Sequence, residues 1–98
     1  MAPNKVVTSA FIKNVVVGGR TVVVKYATET SNWRRVFLDQ GTQDNFAAAV
    51  EKANIPEGAT VAIMTETDHP SDKDSYTHFT TVFQKTNGDH VTTGHVYP

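Results

Sequence analysis

The four histidines have the widest chemical repertoire in this chain, because an imidazole can ligate a metal ion or exchange a proton near neutral pH. Two of them, His78 and His95, fall on one face of a predicted hairpin as diagonal neighbours, at a distance where two imidazoles can share a metal ion. A zinc site needs three or four ligands, and the sequence places no carboxylate beside this pair. We therefore predict neither a metal site nor a cofactor, and we interpret both residues as histidines on a half-exposed sheet.

Carboxylates are concentrated in residues 66–75, ETDHPSDKDS. The stretch lacks the sixth-position glycine and the closing glutamate of an EF-hand loop, and Lys73 lies among the acids. We predict a solvated loop between two strands, of a length that can contact a partner. Within it, Asp68, Asp72 and Asp74 are candidate protein-interaction residues.

The sequence contains no arrangement typical of an enzyme. Nucleophilic cysteine and disulfides are excluded because the chain has no cysteine. Gly18-Gly19-Arg20 is not a phosphate loop, since no Gly-Lys-Ser/Thr follows and no helix is predicted there. Ser71 and Ser75 lie near His69, but neighbouring loop residues seldom hold catalytic geometry. We predict a non-enzymatic binding domain.

Charge is distributed unevenly along the chain. The formal charge of −1 combines +5 over residues 1–35 with −6 over residues 36–98. Binding of single-stranded nucleic acid requires cations along the phosphates and aromatic faces on which bases stack, and the first three predicted strands carry both. The candidate nucleic-acid-binding residues are Lys13, Arg20, Lys25, Tyr26, Trp33, Arg34 and Arg35.

Two runs of valine favour a different partner, another protein. Residues 15–17 and 22–24 place valines on both faces of the first predicted hairpin, whereas a strand with one wet face alternates. One face covers the core, and the other needs a helix, barrel closure or another chain to cover it. On this hypothesis the protein is an inhibitor, an adaptor or a self-assembling subunit of viral or other origin, and Val16 and Val23 are candidate interaction residues.

The composition indicates a sheet. Val, Thr and Ile supply 31 of the 98 residues, and the chain has a single Leu. β-branched side chains suit a pleated surface, so the composition disfavours an all-helical bundle. No linker or repeat divides the chain, and we expect one domain over residues 1–98. We also expect a cytoplasmic protein without membrane contact, since neither a signal-peptide stretch nor an apolar run of about 20 residues is present.

Two turn motifs predict two hairpins. Gly18-Gly19 separates valine-rich runs as a two-residue loop, and Asn87-Gly88 does the same between residues 76–85 and 89–97. The first loop places Phe11 opposite Tyr26, Lys13 opposite Val24 and Val15 opposite Val22. If Thr86 pairs with Asp89, the second places Phe83 opposite Thr92, Thr80 opposite His95 and Phe79 opposite Val96.

One helix is predicted over residues 43–54. Thr42 is the expected N-cap, Asp44 lies in the first turn, and Pro56 ends the helix. Its apolar stripe has the spacing i, i+3, i+4 and i+7, which turns one side toward a sheet. The residues of the stripe are Phe46, Ala49, Val50 and Ala53.

Two further predicted strands, residues 33–38 and 60–65, complete the order β-β-β-α-β-β-β. We predict a β-rich α+β domain with one packing helix, either a curved antiparallel sheet or a partly open barrel. The order of elements is similar to that of an OB-type barrel, which binds single strands or sugars on the face around its second and third strands. No residue motif adds to that similarity.

Overall fold

The protein is described by a computed structural model, which covers residues 8–29, 40–68 and 78–98. The predicted strand at 33–38 lies outside these residues. Five strands and one helix follow one another along the described chain, with these bounds: β1 (Thr8–Val17), β2 (Arg20–Glu29), α1 (Gln40–Lys52), β3 (Val61–Asp68), β4 (His78–Gln84) and β5 (His90–Val96).

The β1–β2 hairpin closes on the predicted two-residue loop. Gly18 and Gly19 have φ angles of 59° and 80°, as a primed turn requires. The pairs Val15 with Val22 and Lys13 with Val24 are confirmed.

The predicted pairing of Phe11 with Tyr26 is wrong. A register shift between Phe11 and Lys13 places Phe11 opposite Lys25 and Ala10 opposite Tyr26. The residue inserted by this bulge is Ile12, which packs half-buried against the hydrophobic core instead of facing away from it. Burial of Ile12 is the physical gain that accompanies the interruption of the ladder.

The helix begins at Gln40 and ends at Lys52, so the predicted N-cap at Thr42 is wrong. The predicted position of Asp44 in the first turn is also wrong, because the first turn contains no acidic residue. The Gln40 Nε2 group donates a hydrogen bond to Asp44 Oδ1 at 2.9 Å, which links positions i and i+4 across the first turn. Phe46, Ala49 and Val50 of the predicted apolar stripe are buried on α1, together with Ala47. Ala53, the fourth predicted residue, lies beyond the end of the helix and packs half-buried against the core.

The sheet of the described residues is mixed and is not closed, whereas the sequence predicted either a curved antiparallel sheet or a partly open OB-like barrel. Strands β2 and β3 run parallel, with Val23 opposite Val61 and Tyr26 opposite Met64. The other neighbouring pairs are antiparallel. Parallel neighbours need a crossover connection, and α1 lies in this one. The strand order is β1-β2-β3-β4-β5, so β1 and β5 are the edges of an open sheet in the described chain.

The two faces of the sheet carry two separate apolar clusters. On the helix face, α1 covers the larger cluster, in which the rings of Phe46 and Phe79 meet edge to face at 5.3 Å between centroids. The opposite side, called the far face below, holds the smaller cluster of Ala27, Val61, Ile63 and Val82, with Val23 half-buried beside them. Apolar groups on both faces were predicted from the valine runs and are confirmed.

The β4–β5 hairpin has the predicted register away from its turn, but the turn itself differs from the prediction. The pairs Phe83 with Thr92, Thr80 with His95 and Phe79 with Val96 are confirmed. At the turn, Asp89 pairs with Lys85 instead of Thr86, since Lys85 N–H donates to Asp89 O at 2.9 Å. A compensating register shift between Phe83 and Gln84 restores the alignment.

The acidic stretch predicted as a loop begins inside a strand. β3 continues to Asp68, so residues 66–68 belong to the sheet because they pair with β4 from Thr80 to His78. Asp72 and Asp74 lie outside the described residues.

The helix and sheet are held together by Phe46, whose side chain is fully buried. We expect Phe46→Ala to lower the free energy of unfolding by about 3–5 kcal/mol, the usual cost of truncating a buried phenylalanine. The matched control is Phe11→Ala, because Phe11 is 59% exposed and its loss should change stability by less than about 0.5 kcal/mol. Urea titrations followed by circular dichroism measure both, and equal losses would contradict this arrangement.

Candidate interaction site along strand β5

The structure distributes the predicted nucleic-acid residues over different surfaces. Lys25 is half-buried on the far face, whereas its neighbour Tyr26 is half-buried against the helix-face cluster. Lys13 is exposed on the edge strand β1. Trp33, Arg34 and Arg35 lie outside the described residues. The described members therefore do not form one contiguous surface.

Arg20 connects two parts of the fold through hydrogen bonds from its side chain. Its Nη1 group donates hydrogen bonds to Pro56 O at 3.1 Å and Ala59 O at 3.0 Å, and Nη2 donates to Ile55 O at 3.4 Å. These carbonyls belong to the segment between α1 and β3. Arg20 thereby ties the β1–β2 turn to the end of the crossover, and its donors satisfy carbonyls outside regular structure.

The predicted protein-interaction residues also have different environments. Val16 is 62% exposed on the far face of β1, and Val23 is half-buried at the centre of the same face. Asp68 is the last residue of β3. Only Val16 among the described candidates presents a large exposed apolar side chain.

The two edge strands differ in how well they are protected from pairing with another chain. β1 has a register shift beside Lys13, whose side chain is exposed. Bulges and edge lysines are the devices with which natural sheets discourage added strands. β5 has neither over Thr92–Val96, because this stretch pairs with β4 without a shift and contains no charged residue or proline.

A cleft of about 570 Å³ lies between α1 and β5. Its apolar lining includes Ala49, Ala53, Phe83 and Val96, and the polar residues that border it are Lys52, Asn54, Thr92, His95 and Tyr97. Small residues create the space: alanines line the helix side, and β5 has Gly94 at its centre. A Cβ atom built at Gly94 would meet only Phe83 Cε2, at 4.0 Å.

An aromatic cluster flanks the cleft on the other side of β5. The His78 and His95 rings are 4.8 Å apart between centroids, and the His78 and Tyr97 rings are 5.1 Å apart. The predicted proximity of the two histidines is thus confirmed. Tyr97 is 58% exposed. Within residues 8–29, 40–68 and 78–98, no three His, Asp or Glu side chains are grouped as metal ligands would be.

Sequence reasoning did not identify this site. Much of its lining is alanine, valine, threonine and glycine, which carry no chemical signature, and these residues come together only when β5 becomes an edge and α1 packs beside it. Gly94, the one glycine inside a predicted strand, was the available signal, because glycine in a strand marks a bulge or a close approach.

Comparisons with protein families, curated proteins and solved structures found no match for this chain. The described part is a β-rich α+β domain with a five-stranded mixed sheet and one helix. That helix is too short and too polar to cross a membrane.

The position of Arg20 generates a stability test. We expect Arg20→Met to lower the free energy of unfolding by about 2 kcal/mol, since hydrogen bonds from a charged group contribute about 1.5–3 kcal/mol. Lys13→Met on the same hairpin is the control and should change stability by less than about 0.5 kcal/mol, as is usual for an exposed residue. Chemical denaturation measures both, and equal stabilities of the two variants would contradict the architectural role of Arg20.

Proposed function

We propose that the protein binds another polypeptide, which joins the sheet as an extra strand along β5. The observation that carries this proposal is the combination of an unprotected edge strand with a cleft that opens beside it. An edge strand presents unpaired N–H and C=O groups. Strand addition uses such groups for affinity and adjacent pockets for specificity.

The cleft supports a preference for an apolar side chain on the bound strand. Alternate residues of an added strand point to the same face, so one residue in two would face the cleft. Burying an apolar side chain there contributes about 1.5–3 kcal/mol. Lys52 and Asn54 beside the cleft are exposed polar groups that can contact the backbone of the bound segment.

This surface differs from the two that the sequence suggested for protein binding, the valine-rich hairpin and the acidic stretch. The hairpin includes the protected edge β1. Residues 69–75 of the acidic stretch lie outside the described chain, so β5 is the surface for which the described residues offer both a pairing edge and a pocket.

The proposal is tested by selecting peptides from a random displayed library on the wild-type protein. We expect each selected peptide to place an apolar side chain in the cleft. Gly94→Leu should displace that side chain, because the new leucine fills the cleft. Affinity should fall at least about tenfold, which corresponds to about 1.4 kcal/mol. Fluorescence anisotropy of labelled peptides measures the change.

The matched control is Thr21→Lys, a change at an exposed position on the interior strand β2, which should leave the affinity unchanged. Circular dichroism establishes that Gly94→Leu remains folded, as the open space around Gly94 predicts. Selection of no peptide, or of peptides that bind Gly94→Leu and wild type equally, would contradict the proposed function.

A second candidate function is binding of single-stranded nucleic acid at the β1–β2 edge of the far face, since the centre of that face, at Ala27, Ile63 and Val82, is buried. It is favoured by the cross-strand pair Phe11 and Lys25, an exposed aromatic ring opposite a cation. The acidic side chains that the structure describes lie away from this face, on α1, on the segment after it and in the β4–β5 turn: Asp44, Glu51, Glu57 and Asp89.

Titration of Trp33 fluorescence with oligo-dT at two salt concentrations tests this second function. Nucleic-acid binding predicts quenching that weakens steeply with salt. Phe11→Ala should weaken binding at both salt concentrations through the loss of about 1–3 kcal/mol of stacking. Lys25→Gln should lower the salt dependence by about one phosphate contact, whereas Lys52→Gln should not. Absence of quenching at micromolar strand, together with no effect of Phe11→Ala or Lys25→Gln on retention of labelled oligo-dT, would contradict this second function.

A further inference from the structure

We infer that the polypeptide bound along β5 is β5 of a second copy of this chain, paired antiparallel about a two-fold axis at Gly94. The inference rests on the proposed function and names its partner. The strands of the described residues then form one continuous sheet of ten, since five of them come from each copy. Such an interface is isologous, because the same surface is used on both subunits.

The sequence of β5 is compatible with itself in this arrangement. Residues 90–97 contain no Asp, Glu, Lys or Arg, so the axis brings no pair of permanent charges of the same sign together. With Gly94 opposite itself, Thr93 lies opposite His95 and Thr92 opposite Val96 of the second copy, within the stretch of β5 that pairs with β4 without a shift. β-branched and aromatic partners of this kind stabilise antiparallel pairs.

The two-fold axis also joins the two clefts. An axis perpendicular to the sheet keeps both helices on the same side, so the cleft of each copy opens toward that of the other across Gly94. Glycine at the centre lets the two backbones approach with no side chain between the clefts.

Edge protection explains why assembly stops at two copies. In the ten-stranded sheet, both outer edges are β1, the strand with the bulge and the exposed Lys13. The unprotected edges, β5 of each copy, are therefore paired with each other, and the protected edges, β1 of each copy, remain exposed. Pairing of β5 with β1 would instead be head to tail and would generate a filament, which the bulge and the lysine of β1 oppose.

Sedimentation velocity measures the predicted association. We expect the wild-type chain to sediment at twice its mass of 10.7 kDa. Thr93→Lys places a lysine on the exposed side of β5, where it imitates the natural protection of an edge, and it should return the protein to 10.7 kDa. Thr21→Lys, the same change on an interior strand, should leave the doubled mass unchanged.

A disulfide provides positive evidence that does not depend on disruption. The chain has no cysteine, so Gly94→Cys carries a single thiol, and the two-fold axis places it opposite its own copy. We expect mild oxidation to give a covalent dimer of Gly94→Cys at concentrations where Lys13→Cys stays uncrosslinked. A Gly94→Cys disulfide also remains informative if Thr93→Lys fails to fold, which circular dichroism detects.

The outcomes separate this inference from the proposed function. A wild-type chain that stays monomeric while binding selected peptides at the cleft overturns the second copy as partner and leaves strand addition standing. A monomer that binds no peptide overturns both. A dimer that Thr93→Lys leaves intact and Gly94→Cys fails to crosslink overturns the β5 interface, and crosslinks between Gly94→Cys and Lys13→Cys chains would establish the filament geometry instead.

Discussion

Burial of the apolar side of α1 against one face of the sheet is the interaction on which the rest of this structure depends. Phe46 lies against Phe79 of β4, and small alanines let the helix approach the strands closely. Because α1 lies between β2 and β3 in the chain and packs on the sheet, it carries the chain back to the end of the sheet at which β2 began. β3 therefore enters parallel to β2, and the sheet is mixed because of that packing.

The parallel crossover decides which strands become edges. With β2 and β3 at the interior, the first hairpin ends on β1 and the last hairpin ends on β5. α1 comes close to both of these strands, but its small residues and Gly94 leave a cleft on the β5 side. The Arg20 guanidinium holds the end of the crossover against the first turn. The proposed site is thus a consequence of topology and of side-chain size.

Local features of the fold were predictable because short-range chemistry controls them. Gly18-Gly19 specified a two-residue loop, since positive φ at two adjacent positions costs glycine little. The stripe through Phe46 and Val50 identified the buried side of α1. Predictions failed where a local rule competed with packing: Ile12 is buried by a bulge that shifts Phe11, and the Asn87-Gly88 turn is one residue wider than its motif suggests.

The candidate sites were likewise predictable only where short-range chemistry determines them. Charged and aromatic residues are conspicuous in a sequence, yet Arg20 donates to backbone carbonyls, and Lys25 and Tyr26 lie on opposite faces because neighbours in a strand alternate. The sequence by itself determined the β-rich class, the hairpins, the apolar side of the helix and the proximity of His78 to His95. Only the tertiary structure decided the parallel crossover, the exposed edge of β5 and the cleft beside Gly94, because these depend on contacts between residues far apart in the chain.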